Sequence, residues 1–295
     1  MQTSNLEQRQ IPVLIFKLLR VKHWLKSVFV LIGYFFSGLW QSHAIDVCLA
    51  VIAFCLASSA VYLYNDIADI ELDKRHPIKK SRPIASGQIS LEVVFPFFFL
   101  LMMASLGIAA LLSKPAILII ALYLAINVLY SHGLKQIPYL DVFCIGSGFM
   151  LRILMGTWAI DIVPSKWLLL CGTGLSLFLA FSKRYLELSL YHQNEYDFRP
   201  VLAKYKPKIL SALLMFSALL SFISYYAYVF NMSSLLDRGG YLIATIPFVI
   251  LGFIRYLHRM KTNKTIVCPI TLFIRDPLSI INLVGFVGLI YIVHS

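Results

Sequence analysis

The residue types that could do chemistry are concentrated in one short acidic segment, which runs from Asn65 to Asp73. Asp66, Asp69 and Asp73 are spaced i, i+3 and i+7, so on an α-helix they share one face with Asn65. Like charges this close repel one another unless a cation lies between them. Mg2+ takes oxygen ligands, and proteins usually hold it with one or two carboxylates together with substrate phosphates. The spacing therefore predicts a magnesium site made by the three aspartates.

Basic residues follow the acidic segment directly. They are Lys74, Arg75, His76, Lys79, Lys80 and Arg82. An arginine can hold phosphate oxygens with two parallel N–H groups, and a lysine acts as a mobile point charge. A diphosphate bound through a metal ion needs carboxylates to hold the metal and cations to contact its phosphate oxygens, and this stretch of the sequence supplies both. The alternative is a solvated loop of mixed charge with no ligand.

Composition decides what kind of scaffold carries this segment. Of the 295 residues, 59% are hydrophobic and 14% are charged, and the mean hydropathy is +0.79. Soluble domains carry about 25% charged residues. Apolar runs long enough to span a bilayer recur along the chain, and in hydrocarbon such runs have to be helical. About nine spans fit, near 24–41, 44–65, 91–112, 115–131, 138–160, 165–183, 208–231, 240–257 and 277–294.

We therefore predict an all-α fold, a polytopic membrane helix bundle in one domain over residues 1–295. Residues 1–23 would form a cytoplasmic or interfacial segment, and residues 24–294 the transmembrane bundle. Most of the 26 lysines and arginines lie in the N-terminal segment and in the long polar loops. Because lysine and arginine are retained on the cytoplasmic side, the N-terminus and the acidic segment should be cytoplasmic. The basic residues form no soluble binding domain, which argues against nucleic acid as a partner.

Several motifs resemble one enzyme superfamily. Asn65-Asp66-x-x-Asp69-x-x-x-Asp73 resembles the first signature of the UbiA superfamily of membrane prenyltransferases. Other stretches resemble its decaprenyl-phosphate phosphoribosyltransferase branch, namely Arg20 to Lys26, His76 to Gly87, Tyr130 to Val142 and Lys183 to Leu188. The resemblance covers about residues 15–290. The chain departs from the pattern where Ser27 replaces a common asparagine and where no glutamate precedes Asp276.

The resemblance implies a fold and a reaction. The helices would surround a cavity that opens to the cytoplasmic face and, laterally, to lipid. The enzyme would transfer a phosphoribosyl group from phosphoribosyl diphosphate to a polyprenyl phosphate of the decaprenyl type and release diphosphate. It would depend on Mg2+, serve cell-envelope glycan precursor synthesis and lie in the bacterial cytoplasmic (inner) membrane with its active site on the cytoplasmic side. Assembly into a homo-oligomer is left open.

The resemblance also implies roles for individual residues. Asp66, Asp69 and Asp73 would hold magnesium and the donor diphosphate, with Asn65 as a positioning partner. The candidates for phosphate contacts are Lys22, Lys26, Lys79, Arg82, Lys135, Lys183 and Arg184. Tyr130 belongs to the same substrate-binding set.

Two acids of the later motifs have alternative roles. Asp141 would bind ribose hydroxyls or support Lys135, and Glu187 would orient Arg184 or Lys183. Arg152 lies inside a predicted span, where it either faces the cavity or pairs structurally within the bundle. The glycines of the same span, Gly146, Gly148 and Gly156, are expected to permit close helix packing.

Two other functions remain open from the sequence. A UbiA-type prenyltransferase that joins a polyprenyl diphosphate to an aromatic acceptor would use the same aspartates. The Lys183-Arg184 element and the basic run after the aspartates argue against it. A transporter for an anionic lipid would also place charges in a membrane bundle. No inverted repeat is visible in the sequence, which argues against transport.

Overall fold

The computed structural model describes residues 14–37, 39, 42–76, 79–191, 200–234, 239–263, 265–266 and 268–294. The α-helices are α1 (residues 14–19), α2 (Phe29–Phe35), α3 (Ala44–Ala68), α4 (Ile70–Arg75), α5 (Leu91–Leu112), α6 (Lys114–His132), α7 (Leu140–Trp158), α8 (Lys166–Tyr191), α9 (Pro207–Met232), α10 (Gly239–Ile243), α11 (Ile246–Thr262), α12 (Pro269–Ile274) and α13 (Pro277–His294). Short 3-10 helices lie at Val21–Val28, Lys79–Ser81, Leu134–Gln136 and Pro200–Lys204. Within the described residues every regular element is helical, which confirms the all-α prediction.

Six helical stretches are long and apolar enough to cross a membrane. They coincide with six of the predicted spans and cover 44–68, 91–112, 114–132, 140–158, 207–232 and 239–262. In lipid a segment of this kind satisfies its backbone hydrogen bonds only as a helix. The chain is therefore an integral membrane protein with several helices.

The other predicted spans differ, so a count of nine is not confirmed for the described residues. The predicted span 24–41 is not one α-helix, because a 3-10 helix runs to Val28 and α2 ends at Phe35. Helix α8 has 26 residues, but its C-terminal part is charged. Helix α13 is apolar and has 18 residues. Of the predicted N-terminal segment, residues 1–13 lie outside the described residues.

The chain divides into two compact units. One comprises Met1–Leu134 with Leu151–Val163, and the other comprises Lys135–Met150 with Pro164–Ser295. This division does not test the prediction of a single domain, which stays a prediction. The cytoplasm-facing cavity also stays a prediction.

In the first unit, α3 packs against α5 and α6. Its buried face consists largely of small residues, among them Ala50, Ala53, Ala57 and Ala60, which are fully buried. Small side chains let helix backbones approach closely, and in lipid this close packing replaces the hydrophobic effect as the source of helix association. The packing holds the C-terminal end of α3, where the acidic segment begins.

In the same unit α2 and α7 meet at two glycines. A Cβ atom on Gly33 would lie 2.3 Å from the carbonyl oxygen of Ile153, and a Cβ atom on Gly156 would lie 1.9 Å from that of Val30. Neither position has room for a side chain. The prediction that Gly156 permits close helix packing is therefore confirmed.

In the second unit α8 packs along α9. A Cβ atom on Gly174 would lie 2.5 Å from the backbone nitrogen of Ser221. A Cβ atom on Gly146 of α7 would meet Leu177 Cδ2 of α8 at 3.2 Å, so the packing role predicted for Gly146 is also confirmed. Close contact on two sides positions the C-terminal part of α8, which carries charged side chains.

Candidate active site

The acidic segment begins on α3 and crosses a break in the helix. Helix α3 ends one residue before Asp69 and α4 begins one residue after it, and Asp69 itself has φ −102° and ψ 10°. The four residues therefore do not lie on one continuous α-helix. The i to i−4 backbone bonds nevertheless continue across the break, from the Asp69 N–H to the Asn65 carbonyl at 3.0 Å and from the Asp73 N–H to the Asp69 carbonyl at 2.8 Å. The backbone of Asp69 lies in a sparsely populated region where active-site residues often occur.

Two of the three aspartates converge on one guanidinium. Arg82 Nη1 donates to Asp66 Oδ1 at 2.9 Å and to Asp73 Oδ2 at 2.5 Å. The side chains of Asp66 and Asp73 are only 8% and 2% exposed, whereas Arg82 is 25% exposed. The structure therefore places Arg82, a predicted phosphate contact, directly against the predicted metal ligands. Asp69 is half-buried at the break.

A second guanidinium, Arg20, also binds Asp66. It donates from Nη2 to the same Oδ1 oxygen that Arg82 contacts. Arg20 has a left-handed backbone with φ 49° and immediately precedes the 3-10 helix Val21–Val28. This conformation is strained for a residue other than glycine and is found where the surroundings over-determine it.

The sequence prediction selected Lys22 and Lys26 from this motif and missed Arg20. Lys22 is exposed. Lys26 donates to the hydroxyl of Tyr62 at 3.2 Å, and the Arg20 guanidinium lies 4.9 Å from the centre of the Tyr62 ring. Tyr62 is one helical turn before Asp66 on α3. Lys22 and Lys26 were implied by the family resemblance, and Arg20 belongs to the same motif. Its contact with Asp66 depends on tertiary packing, because the two residues lie 46 positions apart in the sequence.

The remaining predicted residues of this unit flank the aspartates. Asn65 Oδ1 accepts a hydrogen bond from Ser131 Oγ at 3.3 Å, which ties the ends of α3 and α6 together. Tyr130, next to Ser131, is half-buried. Lys79 is half-buried in its 3-10 helix, and its backbone N–H donates to His76 Nδ1 at 3.2 Å. Their predicted contacts with a substrate stay predictions.

Arg152 lies in the apolar interior of the first unit. Its Nη2 donates to Ser58 Oγ at 2.7 Å and to the Tyr123 hydroxyl at 3.1 Å. The guanidinium also lies 4.9 Å from the ring centre of Phe54 and 4.8 Å from that of Tyr123. These contacts join α7 to α3 and α6, which supports the structural alternative for Arg152.

In the second unit the predicted Asp141 and Arg184 form a buried ion pair. Arg184 Nε donates to Asp141 Oδ2 at 2.6 Å, and neither side chain is exposed. Arg184 Nη1 also donates to Glu187 Oε2. The predicted support of Arg184 by Glu187 is present in this arrangement. Arg184 is fully buried between two carboxylates, and its predicted phosphate contact stays a prediction.

Tyr205 is a second residue that the sequence prediction missed. Its hydroxyl donates to Asp141 Oδ1 and accepts the backbone N–H of Tyr139 at 2.9 Å. Burial, and then the hydrogen bond to Asp141, raises the pKa of Tyr205 well above its usual range, so the phenol stays protonated and acts as a donor. Lys135 and Lys183, predicted phosphate contacts, are half-buried in this unit.

The C-terminal loop that departs from the family pattern contains another ion pair. Asp276 accepts two hydrogen bonds from Arg255, at 2.8 and 2.7 Å, and also caps α13 through the backbone N–H and hydroxyl of Ser279. The hydrogen bond from Arg255 is the main reason that the pKa of Asp276 lies well below its usual range. This loop is thus held by its own contacts.

The fit of the aspartates to a magnesium ion follows from the Arg82 contacts. Among the described residues, no three His, Cys, Asp or Glu side chains form a group that could hold a metal ion by themselves. However, one oxygen of Asp66 and one of Asp73 converge on the same cationic nitrogen. Two carboxylates completed by substrate phosphates are an ordinary magnesium site. The donor set fits Mg2+, with Asp66 and Asp73 as ligands and Asp69 as the predicted third.

Known proteins resemble the chain in sequence and in fold. Residues 27–274 match the UbiA prenyltransferase family. The decaprenyl-phosphate phosphoribosyltransferase of Corynebacterium glutamicum is 35% identical over 84% of this chain and 76% of its own length. That of Mycolicibacterium smegmatis is 34% identical over 81% of this chain and 80% of its own length. In fold, a UbiA homolog from Archaeoglobus fulgidus bound to DMAPP and Mg2+ superposes with a TM-score of 0.71 at 18% identity, covering 95% of this chain and 98% of that one.

Proposed function

Because this chain belongs to the UbiA prenyltransferase family, we propose that it transfers a phosphoribosyl group from phosphoribosyl diphosphate to a polyprenyl phosphate of the decaprenyl type. The relatives that are similar over most of the chain carry this activity in their names. The observation that supports the proposal in the structure is the convergence of two buried carboxylates and two guanidinia at the end of α3. A metal-bound diphosphate presents both kinds of charge and fits such a cluster.

The residues of this cluster would hold the donor and stabilise its leaving group. Asp66 and Asp73, with Asp69, would bind Mg2+, and Arg20 and Arg82 would donate hydrogen bonds to the diphosphate. When bound, magnesium would neutralise the negative charge that grows on the departing diphosphate. Asn65, held by Ser131, would fix the orientation of this end of α3.

The chain itself needs no strong base for this reaction. An oxygen of the lipid phosphate forms the new bond to the anomeric carbon of the ribose, and the bond from that carbon to the diphosphate breaks. The attacking oxygen is already ionised at neutral pH. The contribution of the protein is therefore to hold two anions together in line and to supply the cations that allow it.

Location and pathway complete the proposal. The excess of lysine and arginine in the long polar loops supports a site on the cytoplasmic side of the bacterial inner membrane. The product class, a polyprenyl phosphate bearing a pentose phosphate, suits the synthesis of cell-envelope glycan precursors. Homo-oligomerisation stays an open prediction, which the mass of the purified protein in a defined detergent would test.

The experiment that tests the function is a transfer assay on the full chain in detergent. Radiolabelled phosphoribosyl diphosphate, decaprenyl phosphate and Mg2+ should give a labelled lipid, and chelation of the metal should abolish it. Asp66→Asn should lower the rate by at least about 100-fold. Glu71→Gln is the matched control, because Glu71 is an exposed acid of the same segment whose side chain bonds Lys74 at 2.7 Å, and it should keep the activity.

The other outcomes distinguish the competing functions. Failure with phosphoribosyl diphosphate but transfer from a polyprenyl diphosphate to an aromatic acid would keep the family and replace the proposed substrates. Failure in both assays by well-folded protein would contradict the enzymatic proposal and favour transport of an anionic lipid.

A further inference from the structure

We propose that Arg20 and Arg82 are exchangeable counter-ions. They neutralise Asp66 and Asp73 in the arrangement described above, and they move to the phosphates of the donor when a divalent ion takes the carboxylate oxygens. The proposal rests on the proposed function in one respect, because it takes the anion to be the diphosphate group of the donor. Its consequence is that metal and diphosphate bind cooperatively.

The shared atoms are the first observation that carries this inference. Arg82 Nη1 contacts an oxygen of each aspartate, so it occupies a point from which both carboxylates can be reached. Asp66 Oδ1 accepts from Arg20 as well as from Arg82. A metal ion that binds Asp66 Oδ1 and Asp73 Oδ2 together would take the position of Arg82 Nη1, because two cations cannot occupy one position. It would also compete with Arg20 for Asp66 Oδ1.

The layering of charge is the second observation. The side chains of Asp66 and Asp73 are 8% and 2% exposed, whereas those of Arg20 and Arg82 are 18% and 25% exposed. The bases are therefore more exposed to solvent than the acids that they contact. A guanidinium that leaves its carboxylate can turn its exposed N–H groups to a phosphate.

Charge balance explains why the two ligands should help each other. Two carboxylates and two guanidinia are neutral together. A divalent cation alone would leave the guanidinia facing uncompensated positive charge, and a diphosphate alone would face two carboxylates. Bound together, the metal pairs with the carboxylates and the phosphates pair with the guanidinia. Coupling between two ligands of one site is typically 5- to 150-fold in affinity, and we expect roughly 10-fold here.

Arg20 has a second contact that suits exchange. Its guanidinium lies 4.9 Å from the centre of the Tyr62 ring, and the Tyr62 hydroxyl accepts from Lys26. An aromatic face stabilises a cation that is near it without fixing the direction of its hydrogen bonds. Tyr62 can therefore retain the Arg20 guanidinium close to Asp66 while the N–H groups turn from the carboxylate to a phosphate.

The test measures binding of each ligand separately on the full chain in detergent. Mn2+ is the probe ion, and its binding is measured by the loss of the electron paramagnetic resonance signal of free Mn2+. Phosphoribosyl diphosphate is the anion, and its binding is measured by calorimetry with Mg2+ present. Arg82→Gln should tighten Mn2+ binding alone by about 5- to 10-fold and weaken donor binding by at least about 10-fold. Arg20→Gln should change both in the same directions but less, because Arg20 bonds one of the two aspartates, Asp66, whereas Arg82 bonds both.

Arg255→Gln is the matched control, since it also removes an arginine from a buried aspartate, and it should leave both affinities unchanged. Weaker or unchanged Mn2+ binding in a folded Arg82→Gln protein would overturn the proposal and make Arg82 a structural tie. If Arg82→Gln fails to fold, Arg20→Gln decides by the same criterion. The Mn2+ measurement involves no sugar or lipid and therefore tests the exchange independently of the proposed donor. If Arg82→Gln tightens Mn2+ binding and weakens the binding of a polyprenyl diphosphate instead of phosphoribosyl diphosphate, the exchange stands and the proposed donor is rejected.

Discussion

Arg184 donates from Nε to Asp141 Oδ2 at 2.6 Å, and both side chains are completely enclosed in the second unit. Glu187 accepts a further hydrogen bond from Arg184, and Tyr205 donates one to Asp141. Charges taken out of water persist only when they are paired, and loss of one partner leaves the other uncompensated. The folded state of this unit should therefore be sensitive to the loss of any one of these polar groups.

Replacing Arg184 should destabilise the protein strongly. Arg184→Met removes the cation that Asp141 and Glu187 share, and breaking such a buried pair costs about 3–5 kcal/mol. Thermal unfolding of the detergent-solubilised protein should show a much lower Tm or no folded protein. The control is Lys166→Met, an exposed lysine at the start of the same helix, which should change Tm little. Equal stability of the Arg184→Met protein and the unmodified protein would contradict the buried pairing.

Replacing Tyr205 tests the hydroxyl that joins Asp141 to the backbone. Tyr205→Phe keeps the ring, whose centre lies 4.8 Å from that of Tyr139, and removes the bonds to Asp141 and to the Tyr139 N–H. Leaving buried polar groups unsatisfied costs about 1–3 kcal/mol. Tm should fall measurably, whereas Tyr226→Phe, at a tyrosine that is 51% exposed, should have almost no effect. A similar Tm for the two variants would show that the Tyr205 hydroxyl does not stabilise this cluster.

The Arg255–Asp276 pair should make stability depend on pH in a defined direction. Because the pKa of Asp276 is lower in the folded protein than its usual value of about 3.9, the carboxylate stabilises the folded state above that pH. The stabilisation is lost as pH falls below about 4 toward the pKa of the folded state. Asp276→Asn should therefore lower Tm at pH 7, and the difference from the unmodified protein should shrink at pH 3.

Thermal unfolding at both pH values, with Asp161→Asn at an exposed acid as control, measures this effect. Asp161 has φ 53°, a conformation that asparagine tolerates, so the control changes charge without adding backbone strain. A Tm difference for Asp276→Asn that is the same at pH 3 and pH 7 would exclude the ionised pair as its source.

The two facing glycines give a prediction about packing between α2 and α7. Gly156→Ala would place a methyl group 1.9 Å from the Val30 carbonyl oxygen, which forces the helices apart and should cost about 1–3 kcal/mol. Gly107→Ala in α5 meets nothing within 4 Å and should be neutral or stabilising, since alanine favours a helix by about 1 kcal/mol over glycine. The reverse order of Tm for the two variants would show that α2 and α7 are not in close contact at this point.

The acidic segment shows which features of the site residue spacing can predict. The spacing of Asp66 and Asp73 predicted that their carboxylates converge, and they do converge, on Arg82. It did not predict the break at Asp69, because aspartates at helical spacing carry no signal for an interruption of one residue. The choice of Lys22 instead of Arg20 came from the family resemblance, which could not show that Arg20 contacts Asp66, 46 residues away along the chain.

Local properties of the chain determined its class and the presence of a charged site. Apolar runs of membrane-spanning length and aspartates at helical spacing depend on near neighbours alone, so the sequence suffices to predict them. The partners of those aspartates were decided by tertiary structure, since Arg20 lies 46 residues and Arg82 16 residues from Asp66 along the chain. The same holds for Arg184, which the family resemblance presents as a phosphate contact and which folding encloses between Asp141 and Glu187. An ion pair depends on where distant segments pack, and desolvation then decides which charges stay accessible to a ligand.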